Sequence, residues 1–500
     1  MVIAGAGPTG MMLACELRLA GVDVVVVDRL ASRTGESRAG GLHARTLEVL
    51  DQRGVLDRFL AAGEVHSVGH FSGLWLDFDE PGSRHPRPLM IVQSAVERLL
   101  EEWAAELGTR VRWSSEVSGI RQDDNGVTVE LRTGEAEATT LTARYLVGCD
   151  GGRSAVRTLS GITFPGTPAT MTALLGDVEF TALPEEYIFG RRCPGGHFSV
   201  LPLEPGFFRV MTSEYHYVAG RDEPVTFEQL RESLIRLAGT DWGMHSPRWV
   251  SRFGDAARQA SRYRDGRVLL AGDAAHIHFP AGGQGLNVGV QDAVNVGWKL
   301  ASVLRGGASA DLLDTYHTER HPVGERLLHN TRAQSALARP GADIDALRDV
   351  FGSLIVIDEV NRHLVGMLTG LDIRYPDGDD HPLAGRRVPD VDLKTPDGAT
   401  YVYELLHKAR PVLLDLRGSA EVAAAAVGWA DRVDFVEARS EDDEWPVRDA
   451  GDVPAPDAIL IRPDGHVAWV APAGASPDIA ALRTALSTWF GPALPPSGSA

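Results

Sequence analysis

The sequence predicts an α/β protein of several domains, with a Rossmann-like dinucleotide-binding unit at its N-terminus. The stretch GAGPTG, residues 5–10, links a short apolar run to a helical one, and the apolar run VDVVVVD follows at residues 22–28. Strand, glycine turn, helix and buried strand form a βαβ unit, in which the helix N-terminus faces a pyrophosphate. Because 500 residues exceed what one core usually holds, we expect more than one domain.

Each glycine of this motif has a distinct expected role. Gly5 makes the tight turn, Gly7 lets a phosphate approach the backbone, and Gly10 brings the helix against the strand. Asp28 ends the second strand, where a carboxylate can accept hydrogen bonds from ribose hydroxyls. The motif by itself does not separate NAD from FAD.

A second glycine turn follows the predicted strand in YLVGCDGGRSAVR, residues 145–157. Asp150 ends that strand, and Ser154 precedes a helix. An ordinary capped helix start explains these residues as well as a nucleotide contact does, since Asp and Ser favour such positions. Both interpretations stay open for Asp150.

A third turn follows the buried strand in RVLLAGD and leads through Gly282, Gly283 and Gly285 to a long helix around residues 288–304. Free N–H groups at that helix start suit a pyrophosphate or a polarised carbonyl. Asp273 is placed to accept hydrogen bonds from a polyol. His276 and His278 form an HxH pair, but no HExxH motif or carboxylate at ligand spacing accompanies them, so we expect no metal.

The remaining segments suggest a division of the chain. Alternating residues around a DDNG turn predict antiparallel strands after residue 111, and a mixed region of strands and one helix follows. Pro and Gly cluster in residues 374–390, before strand, strand, hairpin and helix patterns. We expect domains or parts of domains at residues 1–165, 166–262, 263–375 and 385–490.

Composition excludes several function classes. A formal net charge of −19 disfavours nucleic acid, which requires a basic surface. No apolar run is long enough to cross a membrane, and no export signal is visible. Three widely spaced cysteines do not suggest a disulfide framework. We expect a cytoplasmic protein that is a monomer or homodimer.

Taken together, the three motifs resemble those of the single-component (class A) flavoprotein aromatic hydroxylases of the para-hydroxybenzoate hydroxylase type, from residue 1 to about 370. The C-terminal stretches RPVLLDL and LIRPDGHVAW are similar to the thioredoxin-like third domain of larger members, especially rifampicin monooxygenases and angucycline-type polyketide hydroxylases. The resemblance implies an FAD-binding Rossmann-like domain with an inserted mixed α+β substrate domain and a C-terminal thioredoxin-like domain. This last module contains no cysteine, so we expect no redox activity there.

The resemblance also implies cofactors and their contacts. FAD would be bound non-covalently, NAD(P)H would visit transiently, and O₂ would give a flavin C4a-hydroperoxide that hydroxylates an electron-rich ring. The residues that this assigns to the cofactors are Gly5, Gly7, Pro8, Thr9, Gly10, Asp28, Arg29, Arg38, Gln93, Asp150, Asp273, Pro280, Gly283, Gly285, Leu286 and Asn287.

The substrate is expected to be a polycyclic aromatic polyketide. Phe71, Trp75, Phe198 and Phe208 lie in segments that could line its site, although each also suits a hydrophobic core. No catalytic base is assigned: His70, His197 and Tyr215 lie in suitable regions, but a structural or solvent-facing role explains each of them better.

Three alternatives remain open at this point. One is inactivation of an antibiotic by a rifampicin-type monooxygenase. The others are an NAD-dependent dehydrogenase and a non-catalytic protein that binds flavin or drug.

Overall fold

The computed structural model describes residues 1–79, 82–134, 138–182, 188–215, 217–220, 223–376 and 379–494. Its helices are α1 (Pro8–Leu19), α2 (Ala44–Asp51), α3 (Leu56–Leu60), α4 (Gln93–Glu106), α5 (Ala155–Leu159), α6 (Phe227–Ala238), α7 (Gln284–Leu304), α8 (Asp314–Ala338), α9 (Ala342–Ile355), α10 (Asp358–Thr369), α11 (Val402–Leu405), α12 (Ala420–Ala426) and α13 (Ile479–Phe490). None of those helices has both the length and the apolar character needed to span a bilayer.

The strands of the first 277 residues belong to several sheets. In chain order they are β1 (Val2–Ala4), β2 (Val25–Val27), β3 (Gly41–Leu42), β4 (Glu64–Val65), β5 (Val68–Phe71), β6 (Leu74–Asp77), β7 (Leu89–Met90), β8 (Val111–Arg112), β9 (Glu116–Gln122), β10 (Val127–Arg132), β11 (Thr139–Ala143), β12 (Leu146–Gly148), β13 (Gly166–Thr167), β14 (Met171–Phe180), β15 (Ile188–Cys193), β16 (Gly196–Glu204), β17 (Phe207–Tyr215), β18 (Met244–Gly254), β19 (Ala257–Gln259), β20 (Arg264–Asp265), β21 (Val268–Leu270) and β22 (His276–Ile277).

A six-stranded sheet, in the order β20-β21-β12-β1-β2-β8, confirms the predicted βαβ unit. Strands β21, β12, β1, β2 and β8 are parallel, and α1 connects β1 to β2. Ala4 pairs with Gly148, which pairs in turn with Leu270. This register brings the three predicted turns to one edge of the sheet, although they lie far apart in sequence.

A three-stranded meander follows, in the order β11-β10-β9. The predicted DDNG turn joins β9 to β10, and Asp123 accepts hydrogen bonds there from the amides of Asn125 and Gly126. Residues 46–63, TLEVLDQRGVLDRFLAAG, have helical apolar spacing throughout but belong to two helices rather than one. Gly54, at a φ of 66°, lies between α2 and α3.

A five-stranded antiparallel sheet, in the order β15-β16-β17-β14-β18, occupies most of residues 171–254. Helix α6 packs on one face, where it begins with a capping box between Thr226 and Gln229. The other face contributes Met171, Ala173 and Phe253 to a cluster with Phe279. Alternation along the strands therefore divides the sheet into a helix-covered face and a face toward residues 279–281.

The C-terminal segment, residues 379–494, contains a four-stranded sheet in the order β26-β25-β30-β31. The predicted pattern of strand, strand, hairpin and helix is confirmed by β25, β26, the β30–β31 pair and α13. Its strands are β23 (Asp392–Thr395), β24 (Gly398–Tyr401), β25 (Val412–Asp415), β26 (Asp434–Glu437), β27 (Arg439–Ser440), β28 (Glu444–Val447), β29 (Gly451–Pro454), β30 (Ala458–Ile461) and β31 (Val467–Ala471).

Candidate active site

The first glycine turn leaves an open space at the start of α1. A Cβ on Gly5 would collide with the carbonyl oxygen of Cys149, and a Cβ on Gly10 would collide with that of Gly5. A Cβ on Gly7 would meet no atom within 4 Å. Gly7 precedes α1 without a side-chain cap, so the free N–H groups of the first turn face this space. Packing explains Gly5 and Gly10, whereas Gly7 leaves room of the kind that a pyrophosphate requires.

Asp28 lies against this turn. Its carboxylate accepts hydrogen bonds from the Ala6 amide at 2.8 Å and the Leu30 amide at 2.9 Å. A cavity of about 350 Å³ is found nearby, where burial raises the pKa of Glu97 and Asp28 adds to that rise. The cavity is lined by Ser32, Arg33, Gly35, Ser94, Glu97, Glu101 and Trp113. Arg29 is exposed. The polar cavity and the half-buried carboxylate suit an adenosine moiety.

The third turn contacts the first through Thr9. A Cβ on Gly272 would lie 2.6 Å from Thr9 Oγ1, and a Cβ on Gly289 of α7 would collide with the same atom. Asp273 is exposed beside this contact, and its carboxylate accepts no hydrogen bond from the residues that the structure describes. Glycine at 272 and 289 therefore lets α1 and α7 approach, and Asp273 remains free to meet a ligand.

Asp150 behaves as a helix cap. It accepts hydrogen bonds from Ser154 Oγ at 2.5 Å and from the amides of Ala155 and Val156 at 2.7 and 3.1 Å. Burial raises the pKa of Asp150. The contacts observed correspond to the capping interpretation, and a cofactor contact for Asp150 stays a prediction.

The two histidines of the HxH pair have protein partners. His276 Nε2 donates to Asp292 at 2.8 Å, and His278 Nδ1 donates to the carbonyl of Phe279 at 2.7 Å. Within the described ranges, no group of three or more His, Cys, Asp or Glu residues is arranged to hold a metal ion.

The glycine-rich loop before α7 is held by Asn287 and His43. Asn287 accepts from the His43 amide at 2.8 Å and donates to the carbonyls of Gly283 and Gly41. His43 Nε2 donates to the Gly282 carbonyl at 2.8 Å. Gly282 and Gly283 have φ values of 71° and 64°, which L residues rarely adopt. Sequence analysis named Asn287 but missed His43, which gave no motif signal.

Other predicted loop residues surround this helix start. Pro280 and Gly283 are exposed, Leu286 is half-buried, and a Cβ on Gly285 would lie 3.3 Å from His278 Nε2. Helix α7 begins at Gln284 without a side-chain cap, so its first N–H groups lack side-chain partners. The partial positive charge of a 21-residue helix is therefore directed at this opening.

Arg38 lies in the segment that leads to His43, and Gln93, the first residue of α4, contacts the same segment. Gln93 accepts a hydrogen bond from the Ala39 amide at 3.1 Å, and exposed Arg38 pairs with Glu36. Arg209 of the five-stranded sheet donates to the Arg38 carbonyl at 3.3 Å. Gln93 thus orders the segment through its backbone.

Two of the predicted substrate residues lie on the face of the five-stranded sheet that α6 covers. Phe198 and Phe208 pack beneath α6, in the cluster that includes Leu230 and Leu234. A substrate would have to separate α6 from the sheet to contact buried Phe198, and half-buried Phe208 lies on the same face, so we withdraw both as substrate contacts. Alternation along the strand predicts that Phe198 is buried, but it does not predict which face α6 covers.

The other two predicted residues lie on the β5–β6 hairpin, which contacts the glycine-rich loop. Phe71 is buried against Phe351 at a ring distance of 5.5 Å. Trp75 is 60% exposed and packs on Phe189 at 5.7 Å. His70 lies 4.3 Å from Phe189, and burial, with a smaller effect of His43, lowers the pKa of His70 to about 4. We call His70, Trp75 and Phe189 the aromatic cluster; sequence analysis did not identify Phe189.

Comparisons with known proteins agree with this geometry. Residues 1–331 match the family model described as FAD binding domain, and residues 381–493 match that described as aromatic-ring hydroxylase, C-terminal. The chain is 46% identical to the 12-dehydrotetracycline 5-monooxygenase/anhydrotetracycline 6-monooxygenase of Streptomyces rimosus, over 98% of this chain and 99% of that protein.

Two further proteins show the same relationship. A rifampicin monooxygenase of Streptomyces venezuelae is 46% identical, over 99% of both chains. The crystal structure of CabE, an aromatic hydroxylase from angucycline biosynthesis, superposes with a TM-score of 0.90 at 47% identity, over 98% of this chain and 99% of that one.

The chain belongs to the FAD-dependent aromatic-ring hydroxylases. It is therefore a flavin-dependent aromatic monooxygenase with the mixed α/β fold of that family, as the motifs predicted.

In this hydroxylase, His197 and Tyr215 form a polar pair on the face of the five-stranded sheet that is directed toward Phe279. Tyr215 donates to the Ala338 carbonyl at 3.1 Å, and its hydroxyl lies 2.9 Å from His197 Nδ1. Burial lowers the pKa of His197 to about 4 and raises the pKa of Tyr215 to about 12. Both side chains are therefore neutral at pH 7, and neither is poised as a base near neutrality.

Proposed function

We propose that this hydroxylase uses FAD, NAD(P)H and O₂ to hydroxylate a polycyclic aromatic polyketide. The observation that carries the proposal is the convergence of the Gly7, Gly272 and Gly283 turns along α1 and α7, with the last turn beside the β5–β6 hairpin. A long cofactor touched at several points fits this arrangement better than a nicotinamide dinucleotide bound at one turn. The tetracycline and angucycline enzymes among its relatives support the substrate class.

The chain's own residues supply the binding groups. Gly7 and the α1 N-terminus would take the pyrophosphate, Asp28 the adenosine ribose and Asp273 the ribityl chain. The open N-terminus of α7 would stabilise negative charge on the flavin ring. Bound FAD would supply the redox chemistry, accepting a hydride from NAD(P)H and activating O₂.

The substrate side is predominantly apolar. The aromatic cluster forms one wall, and Phe253 with Phe279 forms part of another. Flat aromatic walls suit a polycycle, and their hydrophobic surface keeps water away from the reacting atoms. Because His70 and His197 are neutral, hydrogen bonding rather than ion pairing would orient substrate hydroxyls.

The proposal includes the predicted organisation of the chain. Residues 1–165 and 263–375 would form the FAD-binding domain, 166–262 the substrate domain, and 385–490 a thioredoxin-like domain. The protein would act in the cytoplasm as a monomer or homodimer, which light scattering can decide.

In the decisive experiment, purified protein is incubated with NAD(P)H, ¹⁸O₂ and a panel of phenolic polycycles, and NAD(P)H oxidation and the ¹⁸O content of the product are measured. We expect a yellow protein whose NAD(P)H oxidation is accelerated by a polycycle, and a product that contains one ¹⁸O atom. Protein that stays colourless after FAD reconstitution would refute the proposal. NAD(P)-linked turnover without oxygen uptake would instead support a dehydrogenase, and tight ligand binding without turnover a binding protein.

A second candidate function is oxidation of a naphthyl ansamycin. The rifampicin monooxygenase is as similar in sequence as the tetracycline enzyme, at 46% identity. Adding rifampicin to the same panel separates the two: NAD(P)H-dependent loss of rifampicin absorbance, with no product from tetracyclic phenols, would favour this second function.

A further inference from the structure

A turn of the C-terminal segment is buried in the N-terminal part of the molecule. This RPDGH turn, residues 462–466, connects β30 to β31. Arg53 donates to the carbonyl of Pro463 at 2.8 Å, and Arg45 of α2 donates to that of Asp464 at 2.7 Å. A Cβ on Gly465, which has a φ of 74°, would lie 2.6 Å from Gln52. Side chains near α2 therefore enclose the backbone of the turn.

Arg462 of this turn binds a carboxylate of α8. Its two terminal nitrogens donate to Glu319 at 2.6 and 2.9 Å, and one also donates to Asp464 at 2.5 Å. Lys299 of α7 donates to Glu319 at 2.7 Å. A planar guanidinium with two parallel contacts fixes direction as well as distance. The turn is therefore held in one orientation against α7 and α8.

Arg320 follows Glu319 on α8 and pairs with Asp292 of α7. Arg320 donates through Nε to Asp292 at 2.7 Å and through Nη1 to the hydroxyl of Tyr375 at 3.2 Å. The Tyr375 ring lies 4.2 Å from the His466 ring and 5.2 Å from the Arg462 guanidinium carbon. Tyr375 therefore joins the RPDGH turn to Arg320 without using the backbone of α8.

Asp292 connects Arg320 to the Gly272–Asp273 turn. Its second carboxylate oxygen accepts from the Gly272 amide at 3.1 Å and from His276 at 2.8 Å. Gly272 precedes Asp273, the exposed carboxylate proposed to meet the ribityl chain. The fully buried carboxylate of Asp292 therefore fixes the backbone next to Asp273.

The charges of this connection balance. The carboxylates of Asp292, Glu319 and Asp464 are matched by Arg320, Arg462 and Lys299, all of them buried. Removal of one charged member would leave a buried charge without compensation, so its neighbours would have to rearrange. Such a rearrangement would reach Asp292 through Tyr375, which contacts Arg462 and His466 on one side and Arg320 on the other, and Asp292 in turn binds the Gly272 amide.

We propose that the RPDGH turn is a positioning element of the flavin site, acting through Arg320 and Asp292 on the Gly272–Asp273 turn. This gives the cysteine-free C-terminal segment a role in cofactor binding, and it rests on the proposed place of FAD beside Asp273. None of these residues contacts the cofactor in this role; they hold Asp273, which is proposed to contact the ribityl chain.

The test compares variants of the full-length protein by FAD binding. Tyr375→Phe removes a single hydroxyl and keeps the ring, whereas Arg462→Met removes the guanidinium. Arg84→Met is the matched control, because Arg84 pairs with Asp390 and Asp392 across the same interface without reaching Asp292. Apoprotein of each variant is titrated with FAD by fluorescence at a temperature at which all are folded, and the visible circular dichroism of bound flavin is recorded.

We expect Tyr375→Phe and Arg462→Met to raise the FAD dissociation constant on the order of 2- to 30-fold and to change the flavin dichroism. Arg462→Lys should bind FAD more tightly than Arg462→Met, because lysine keeps the positive charge although it lacks the two parallel hydrogen bonds of the guanidinium. Arg84→Met should bind FAD like the wild type.

Wild-type affinity and dichroism in both Tyr375→Phe and Arg462→Met would overturn the inference, even if their melting temperatures fell. If Arg462→Met does not fold, Tyr375→Phe decides alone. Since only bound FAD is needed, a wild type that binds FAD but hydroxylates no polycycle would refute the proposed function without affecting this comparison.

Discussion

Replacing Gly7 by alanine tests whether the open space at the start of α1 belongs to the cofactor. The backbone at Gly7 has φ −74° and ψ −179°, which alanine adopts without strain, and the added Cβ would meet no protein atom within 4 Å. The apoprotein should therefore keep its stability, or gain about 0.4–1 kcal/mol because the unfolded chain loses freedom. The methyl group would occupy the room left for a phosphate.

The expected loss is in FAD affinity. A hydrogen bond to a charged group contributes about 1.5–3 kcal/mol, so displacing the phosphate from one N–H should weaken binding roughly 10- to 150-fold. Fluorescence titration of apoprotein with FAD measures this loss, and urea unfolding measures stability.

Gly10→Ala is the matched control for this experiment. Its Cβ would collide with the carbonyl oxygen of Gly5, so it should destabilise the apoprotein by about 1–3 kcal/mol or more. Unchanged FAD affinity in Gly7→Ala, or equal destabilisation of the two apoproteins, would refute the assignment of this space to the cofactor.

Three further predictions concern other parts of the site. Asp273→Ala should lose FAD affinity with an unchanged melting temperature of the apoprotein, because the carboxylate accepts no hydrogen bond from the described residues; a lower melting temperature would indicate a structural role. Phe189→Ala should raise KM for the polycycle with little loss of stability, whereas buried Phe198→Ala should cost about 3–5 kcal/mol of stability; equal effects on KM would contradict the face assignment. His70 and His197 have pKa values lowered from 6.5 to about 4, so below pH 6.5 the unfolded chain binds protons that the folded protein does not. Each should lower the free energy of unfolding by up to about 1.4 kcal/mol per pH unit as pH falls toward 4, and the double variant His70→Gln/His197→Gln should show a flatter pH dependence in urea unfolding.

Local pattern was sufficient for much of the fold. Continuous apolar runs, glycine turns and helical spacing predicted the βαβ unit, the β9–β10 turn and helix α6, because each depends on residues within about fifteen positions. The same spacing pointed to Gly5, Gly7 and Gly10, and the order of three motifs along the chain was enough to indicate the family.

The sequence by itself thus determined most of the elements, and its resemblance to a family indicated FAD and the class of chemistry. Only the tertiary structure decided which face of the five-stranded sheet α6 covers, which excludes Phe198 and brings Phe189 to the aromatic cluster. It also showed His43 at the glycine-rich loop and the RPDGH turn behind Asp292. The physical reason is the same in each case: periodicity shows that a residue is buried, whereas its partner, often hundreds of residues away, is set by how the elements pack.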